Sequence, residues 1–231
     1  VDGKVLLTMY EYVNQGSYSN PKTDLRGKSN ETIKNSGCLD CSVDMIVMYY
    51  EWQHVDIHDI SDFVASNAQL DTGGALAAHN MTQGTSTYGN FKQGVIDEIN
   101  AGRPCIIHIR GWWTSGDGRT LHDTENGHFM VGRGYDSNGL YVYDPGCRAN
   151  TEPIDTVYIP WDDWNNVTDL YYRPVYFNGT IAKPENSEKN ISILGDSIST
   201  YEGYIPSDYS VFYPGGGGIS NVQDTWWMQV I

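Results

Sequence analysis

The chain has 231 residues, enough for a core of ordinary size, so one domain of about 150 to 200 residues with an appendage is the starting expectation. Its 29 acidic against 14 basic side chains leave a net charge of −15, which repels phosphate backbones and argues against nucleic acid as a partner. The longest apolar run falls far short of the roughly 20 residues that a transmembrane helix needs, so no membrane span is expected. The chain opens at Val1 with no signal-peptide pattern, and the expectation is that something upstream was removed.

Tyr (17) and Trp (7) are frequent while Lys and Arg are scarce, a mixture that suits a secreted or surface-exposed domain handling polar polymers. The four cysteines, Cys38, Cys41, Cys105 and Cys147, are too irregularly spaced for the dense disulfide framework of small secreted folds.

In chain order, KVLLTMYEYV reads as a short strand-like opening, followed by a turn-rich loop through SYSNPKTDLRGKSN. SVDMIVMYYEWQH, from Cys41 to about His54, reads as a helix with a broad apolar face. Asp59 to Ala68 and Asn90 to Ala101 read as two more. After Gly102-Arg103-Pro104 the period changes. CIIHIRGWW, GHFMVGRGYD and GLYVYDPG are short and β-branched or aromatic, and Gly, Asp and Asn separate them, as in an antiparallel meander. Helices followed by strands indicate an α+β domain with the sheet packed against the first helix. The domain is expected to span residues 1–176, with a polar linker at 177–190 and a separate fragment at 191–231.

A cysteine at a helix start has its thiolate, the nucleophilic form, favoured by the positive end of the helix dipole. Cys38 and Cys41 both fit. A thiol nucleophile also needs a base and a group that orients the base. His128 opens one predicted strand and Asp144 ends the next, so a hairpin turning near Ser137-Asn138-Gly139 could set them side by side. The plainer readings remain open at this point: a buried cysteine as a small hydrophobe, a satisfied core histidine, and Asp-Pro-Gly as an ordinary turn. A Cys-x-x-Cys redox pair is also open, though without the βαβ context it usually has, and so is a four-cysteine zinc site, for which Cys105 and Cys147 lack paired spacing.

Residues 15 to 147 resemble the papain-like cysteine peptidases similar to the bacteriocin-processing peptidase domain. In these a Gly-Cys pair opens a helix, and a Gly-His-Phe/Tyr strand running to Gly-Tyr-Asp leads into a strand ending in Asp-Pro. The matching positions are Gly37-Cys38, Ser42, Met45 and Tyr49-Tyr50, then Gly127-His128-Phe129, Gly134-Tyr135-Asp136 and Asp144-Pro145. The resemblance implies a papain-like α+β fold with N-terminal helices on an antiparallel sheet. It also implies Cys38 as nucleophile, His128 as general base and acid, Asp144 as orienting group, and an upstream glutamine, most nearly Gln15, as oxyanion donor. No cofactor or metal is implied, and the implied partner is a peptide or protein substrate. Cys41 falls where the family carries a small residue such as Thr. Leu39-Asp40-Cys41 replaces Gly-Pro-Thr and puts a carboxylate beside the thiol, which would raise the thiol pKa unless Asp40 caps the helix or points to solvent.

ISILGDSISTYEGYIP resembles the start of an SGNH (GDSL-type) hydrolase, with Ser197 at the nucleophile position. The Asp-x-x-His segment and the oxyanion donors of such enzymes are missing, so esterase activity is not expected of this chain. The leading expectation is a bacterial cysteine peptidase, secreted or at the cell surface and open to cell-wall association, cutting protein or wall peptide. The alternatives are a silent peptide- or glycan-binding module and an esterase whose chemistry lies in the missing part. The stretch 111–128, containing Trp112 and Trp113, is expected to be a loop overhanging the cleft.

Overall fold

The computed structural model describes residues 3–114, 120–146 and 157–181. The chain divides into two units, Val1–Lys183 and Pro184–Ile231, and the described residues all belong to the first. The expected SGNH-like fragment, Ser197 and Cys147 lie outside them, as does the linker beyond residue 181.

Along the chain come β1 (Val5–Leu6), a 3-10 turn (Gln15–Ser17), α1 (Ile33–Ser36), α2 (Cys38–Glu51), α3 (Ile57–Ser61) and α4 (Thr72–Ala78). Next are β2 (Met81–Gln83), β3 (Thr87–Tyr88) and α5 (Phe91–Asn100). Then β4 (Cys105–Thr114), β5 (Thr120–Tyr135), β6 (Gly139–Tyr143), β7 (Val157–Pro160), a second 3-10 turn (Trp161–Asn166) and β8 (Thr168–Phe177) follow. The fold is α+β, and the sheet runs β2-β8-β4-β5-β6-β7 with every pairing antiparallel; β1 adds to β5 and β3 to β8.

Strand alternation sorts the apolar side chains onto two faces. Ile106, Val131 and Val175 pack with Val43, Ile46, Val47 and Tyr50 of α2. Ile107, Met130, Leu140 and Val142 pack with Val95 and Ile99 of α5. This is why CIIHI reads as a continuous apolar run: β4 is buried on both sides. Each such aliphatic side chain contributes about 1.5 to 3 kcal/mol on burial. Helix α2 is buried nearly all round, and it stops where Trp52 turns left-handed (φ 52°) and donates its amide to the Met48 carbonyl. Among the described residues no helix is long and apolar enough to cross a membrane.

Several expectations need correction. The opening strand shrinks to Val5–Leu6, and α2 begins at Cys38 rather than Cys41. The helix expected over 59–68 is only Ile57–Ser61, because the chain then folds back in a Val64–Leu70 bridge with Ala68 left-handed (φ 62°). Helix α4 was hidden by its glycines; Asp71 starts it by accepting the Gly74 amide at 3.0 Å. Most of the stretch 111–128 forms strand: Gly111, Trp112, Trp113 and Thr114 of β4 pair with residues of β5, past a register shift after Ile109. Its aromatic and β-branched residues suit paired strands better than a loop. The side chains of Trp112 and Trp113 lie outside the description.

Candidate active site

Gly37 precedes α2 with no side-chain cap, and a Cβ there would meet the Ile33 carbonyl oxygen at 2.5 Å, so only glycine fits. This tight approach delivers Cys38 as the first residue of α2, partly exposed, with Ser42 Oγ donating to its carbonyl at 2.7 Å. Across from it, β5 brings His128 and Phe129. The Cys38 sulfur is hydrogen-bonded to the His128 ring and receives the Phe129 backbone N–H.

His128 Nε2 lies 2.7 Å from Asp144 Oδ1, with both side chains almost wholly buried. That leaves Nδ1 for Cys38. Asp144 follows β6 directly, and its Oδ1 also accepts the Gly146 amide at 2.9 Å. Tyr12 donates its hydroxyl to the Asp144 carbonyl at 2.6 Å, fastening the turn from below.

Burial by itself would raise the Cys38 thiol and lower the His128 imidazolium. Their mutual attraction, the Phe129 amide and the Asp144 carboxylate overcome it: Cys38 lies below its usual value and His128 is raised to about 10. Both shifts favour the thiolate–imidazolium form of the pair, the form in which the sulfur is nucleophilic.

Asp40 neither caps the helix nor points to solvent, the two escapes foreseen for its charge. It is buried and receives two bonds from Arg26, Nε to Oδ2 at 2.6 Å and Nη2 to Oδ1 at 2.8 Å. The guanidinium, also bonded to the Ala68 carbonyl at 3.0 Å, cancels the carboxylate next to the thiol. Asp40 still raises the Cys38 thiol, but by less than burial does and by less than His128 and the Phe129 amide lower it.

Gln15 sits in the first 3-10 turn, its amide bonded to the Pro145 carbonyl at 2.9 Å and its Nε2 to the Lys34 carbonyl at 2.8 Å. It thus bridges the segment before Cys38 and the segment after Asp144, and its Oε1 is buried without a hydrogen-bond partner. The structure brings Cys38, His128 and Asp144 together. Arg26, Tyr12 and the Phe129 amide were missed. A buried-helix carboxylate in a chain with only 14 basic residues was the signal that a cation must reach Asp40. Among the described residues no cluster of three or more His, Cys, Asp or Glu could hold a metal ion.

Comparison with known proteins adds the following. Residues 10–176 match the model of the Peptidase_C39 like family, and residues 189–231 that of the GDSL-like Lipase/Acylhydrolase family. Among solved structures the chain is similar to a C39-like peptidase from Bacillus anthracis, at 17% identity and TM-score 0.47, covering 76% of this chain and 98% of that one. It is also similar to a double glycine motif protease of an AMS/PCAT transporter, solved with its leader peptide, at 18% identity and TM-score 0.35, covering 59% of this chain and 84% of that one. No curated protein matches the chain by sequence. The family model spans well over half of the residues and includes every strand and helix around Cys38, so the chain belongs to the Peptidase_C39 like family, has its papain-like α+β fold, and is a cysteine peptidase.

Proposed function

We propose that this peptidase hydrolyses peptide bonds in protein or cell-wall peptide through Cys38, His128 and Asp144, with Gln15 assisting at the oxyanion. The observation that carries the reading is the placement of His128, bonded on one side to Asp144 at 2.7 Å and on the other to a cysteine at a helix N-terminus. The Cys38 thiolate attacks the substrate carbonyl, and the His128 imidazolium gives its proton to the departing amine. His128, now neutral, takes a proton from the water that cleaves the thioester. Asp144 holds the ring and favours its charged form. Gln15 Nε2 carries two hydrogens and spends one on Lys34, so the other is available to the developing oxyanion.

The wider setting belongs to the same proposal: a bacterial protein, secreted or at the cell surface, with residues 1–176 as the peptidase, 177–190 as a linker and 191–231 as the opening of an SGNH hydrolase domain. A silent peptide- or glycan-binding module would draw on the Asp40 charge beside the thiol and on the aromatic stretch Gly111-Trp112-Trp113; Arg26 neutralises that charge, which supports the catalytic reading.

The test is peptide cleavage and iodoacetamide labelling of Cys38→Ala and Cys41→Ala proteins. Cys38→Ala abolishes alkylation-sensitive cleavage, and Cys41→Ala keeps most of it. Equal losses would overturn the assignment and favour a redox pair.

A further inference from the structure

Cys41 has no task in peptide hydrolysis, yet it lies three residues after Cys38 on the first turn of α2. Side chains at i and i+3 share a helix face with Cβ atoms about 5 to 6 Å apart, and a disulfide requires about 3.5 to 4.5 Å. A small movement closes that gap, and Cys38 is the residue placed to make it. It is the first residue of α2, behind a glycine that offers no side-chain cap. Cys41 is held in place: its amide bonds the Gly37 carbonyl at 2.9 Å, and its neighbour Asp40 is clamped by Arg26.

The two thiols differ in access. Cys38 is partly exposed, whereas Cys41 is fully buried on the face of α2 that packs into the core. A small oxidant entering from solvent meets Cys38 first. Burial, then the charges of Asp40 and Asp44, push the Cys41 thiol well above its usual pKa, so it keeps its proton and does not compete for substrate. Cys105 is buried among the side chains that pack against α5, on the other face of the sheet.

We infer that Cys38 and Cys41 form a reversible oxidation site, in which Cys41 captures the sulfenic acid that hydrogen peroxide makes on Cys38 and so preserves the peptidase nucleophile. The inference rests on reading Cys38 as the reactive thiolate. In the first step the Cys38 sulfur attacks one peroxide oxygen and the O–O bond breaks. The departing hydroxide takes the His128 proton and leaves as water; sulfur has lost two electrons and peroxide has gained them. In the second step the Cys41 sulfur attacks the Cys38 sulfur and the S–O bond breaks. Hydroxide leaves with the Cys41 proton as water, and the S–S bond forms. A dithiol reductant supplies two electrons and two protons and restores both thiols.

The experiment treats the whole reduced chain with stoichiometric hydrogen peroxide, maps cysteine peptides by mass, and assays peptide cleavage before and after dithiothreitol. In the wild type a peptide two hydrogens lighter should contain both Cys38 and Cys41, and dithiothreitol should restore most of the lost activity. In Cys41→Ala, Cys38 should gain two or three oxygens instead, and dithiothreitol should restore nothing. Over-oxidation of Cys38 in the wild type at the rate of the variant, or its pairing with Cys105 or Cys147, would overturn the inference. The wild-type map decides the matter even if Cys41→Ala does not fold. Because the disulfide is read by mass, it is independent of whether the reduced protein cleaves peptide, which Cys38→Ala tests separately.

Discussion

Arg26 grips Asp40 at two points, 2.6 and 2.8 Å, and the carboxylate so held lies two residues beyond Cys38. Both side chains are almost wholly buried, so removing one strands the other. Arg26→Met should cost about 3 to 5 kcal/mol in urea denaturation and should move the alkylation midpoint of Cys38 to higher pH. The double change Arg26→Met with Asp40→Leu should recover most of the stability, since it leaves no charge unpaired. A double variant no more stable than the single one would show that the pair matters for more than its own neutralisation.

Peptidase activity should follow a broad bell against pH. The acid limb marks formation of the thiolate, which lies below the usual thiol range because His128 and the Phe129 amide stabilise it against burial. The alkaline limb marks loss of the imidazolium, near pH 10. The two limbs belong to the coupled pair rather than to either residue. Asp144→Asn removes the charge that holds the proton on His128, so the alkaline limb of kcat/KM should shift to lower pH and kcat should fall about 10²-fold. An unmoved alkaline limb would remove Asp144 from the site.

Asp44 should make the fold weaker in alkali. Burial first, then Glu11, Asp56 and Asp59, raise its carboxyl from 3.8 to about 8, and its Oδ1 is buried without a hydrogen-bond partner. The folded chain therefore holds a proton that the unfolded chain releases between about pH 4 and pH 8. The resulting stability is full below the unfolded pKa and is lost as pH rises through the folded one. Asp44→Asn cannot ionise and should be more stable than wild type above pH 8 by on the order of 2 kcal/mol, with the gap closing in acid. Thermal melts across this range measure it.

Gly127 should not tolerate a side chain. Its φ is +87°, and a Cβ would strike the His108 ring, which is held at Nδ1 by the Asp169 carbonyl at 3.0 Å and stacked on Tyr171 at 4.6 Å. Gly127→Ala should displace the start of the segment carrying His128 and Phe129 and lower kcat about 10²-fold, the cost of roughly 1 Å of misplacement. Adding His108→Ala makes room and should return part of that loss. If the double variant is no better than the single one, backbone strain at φ +87° and not the His108 clash is responsible.

Local chemistry sufficed for the helices and strands whose pattern is strong. The apolar run after Gly37-Cys38 reads as a buried helix, the Phe91–Asn100 helix shows its periodicity openly, and CIIHI and GLYVY are β-branched or aromatic segments bounded by turn residues. Cys38 stood out at the head of a helix and Asp144 just past a strand, whereas His128, read as opening a strand, lies inside β5. Other features depended on contacts between residues distant in the chain. Strand β8 leaves the end of the domain to insert between β2 and β4, a pairing that no local pattern specifies, since strand order is set by which faces the assembled core must cover. Arg26 comes from a loop without periodicity, and its tie to Asp40 exists because the fold buries that carboxylate and desolvation then requires a cation beside it. Tyr12 and the Phe129 amide reach Asp144 and Cys38 only once the strands have paired. The sequence by itself thus determined the types of the main elements and the candidate reacting groups. The tertiary structure decided which charges those groups feel, because that depends on distance and burial and not on order along the chain.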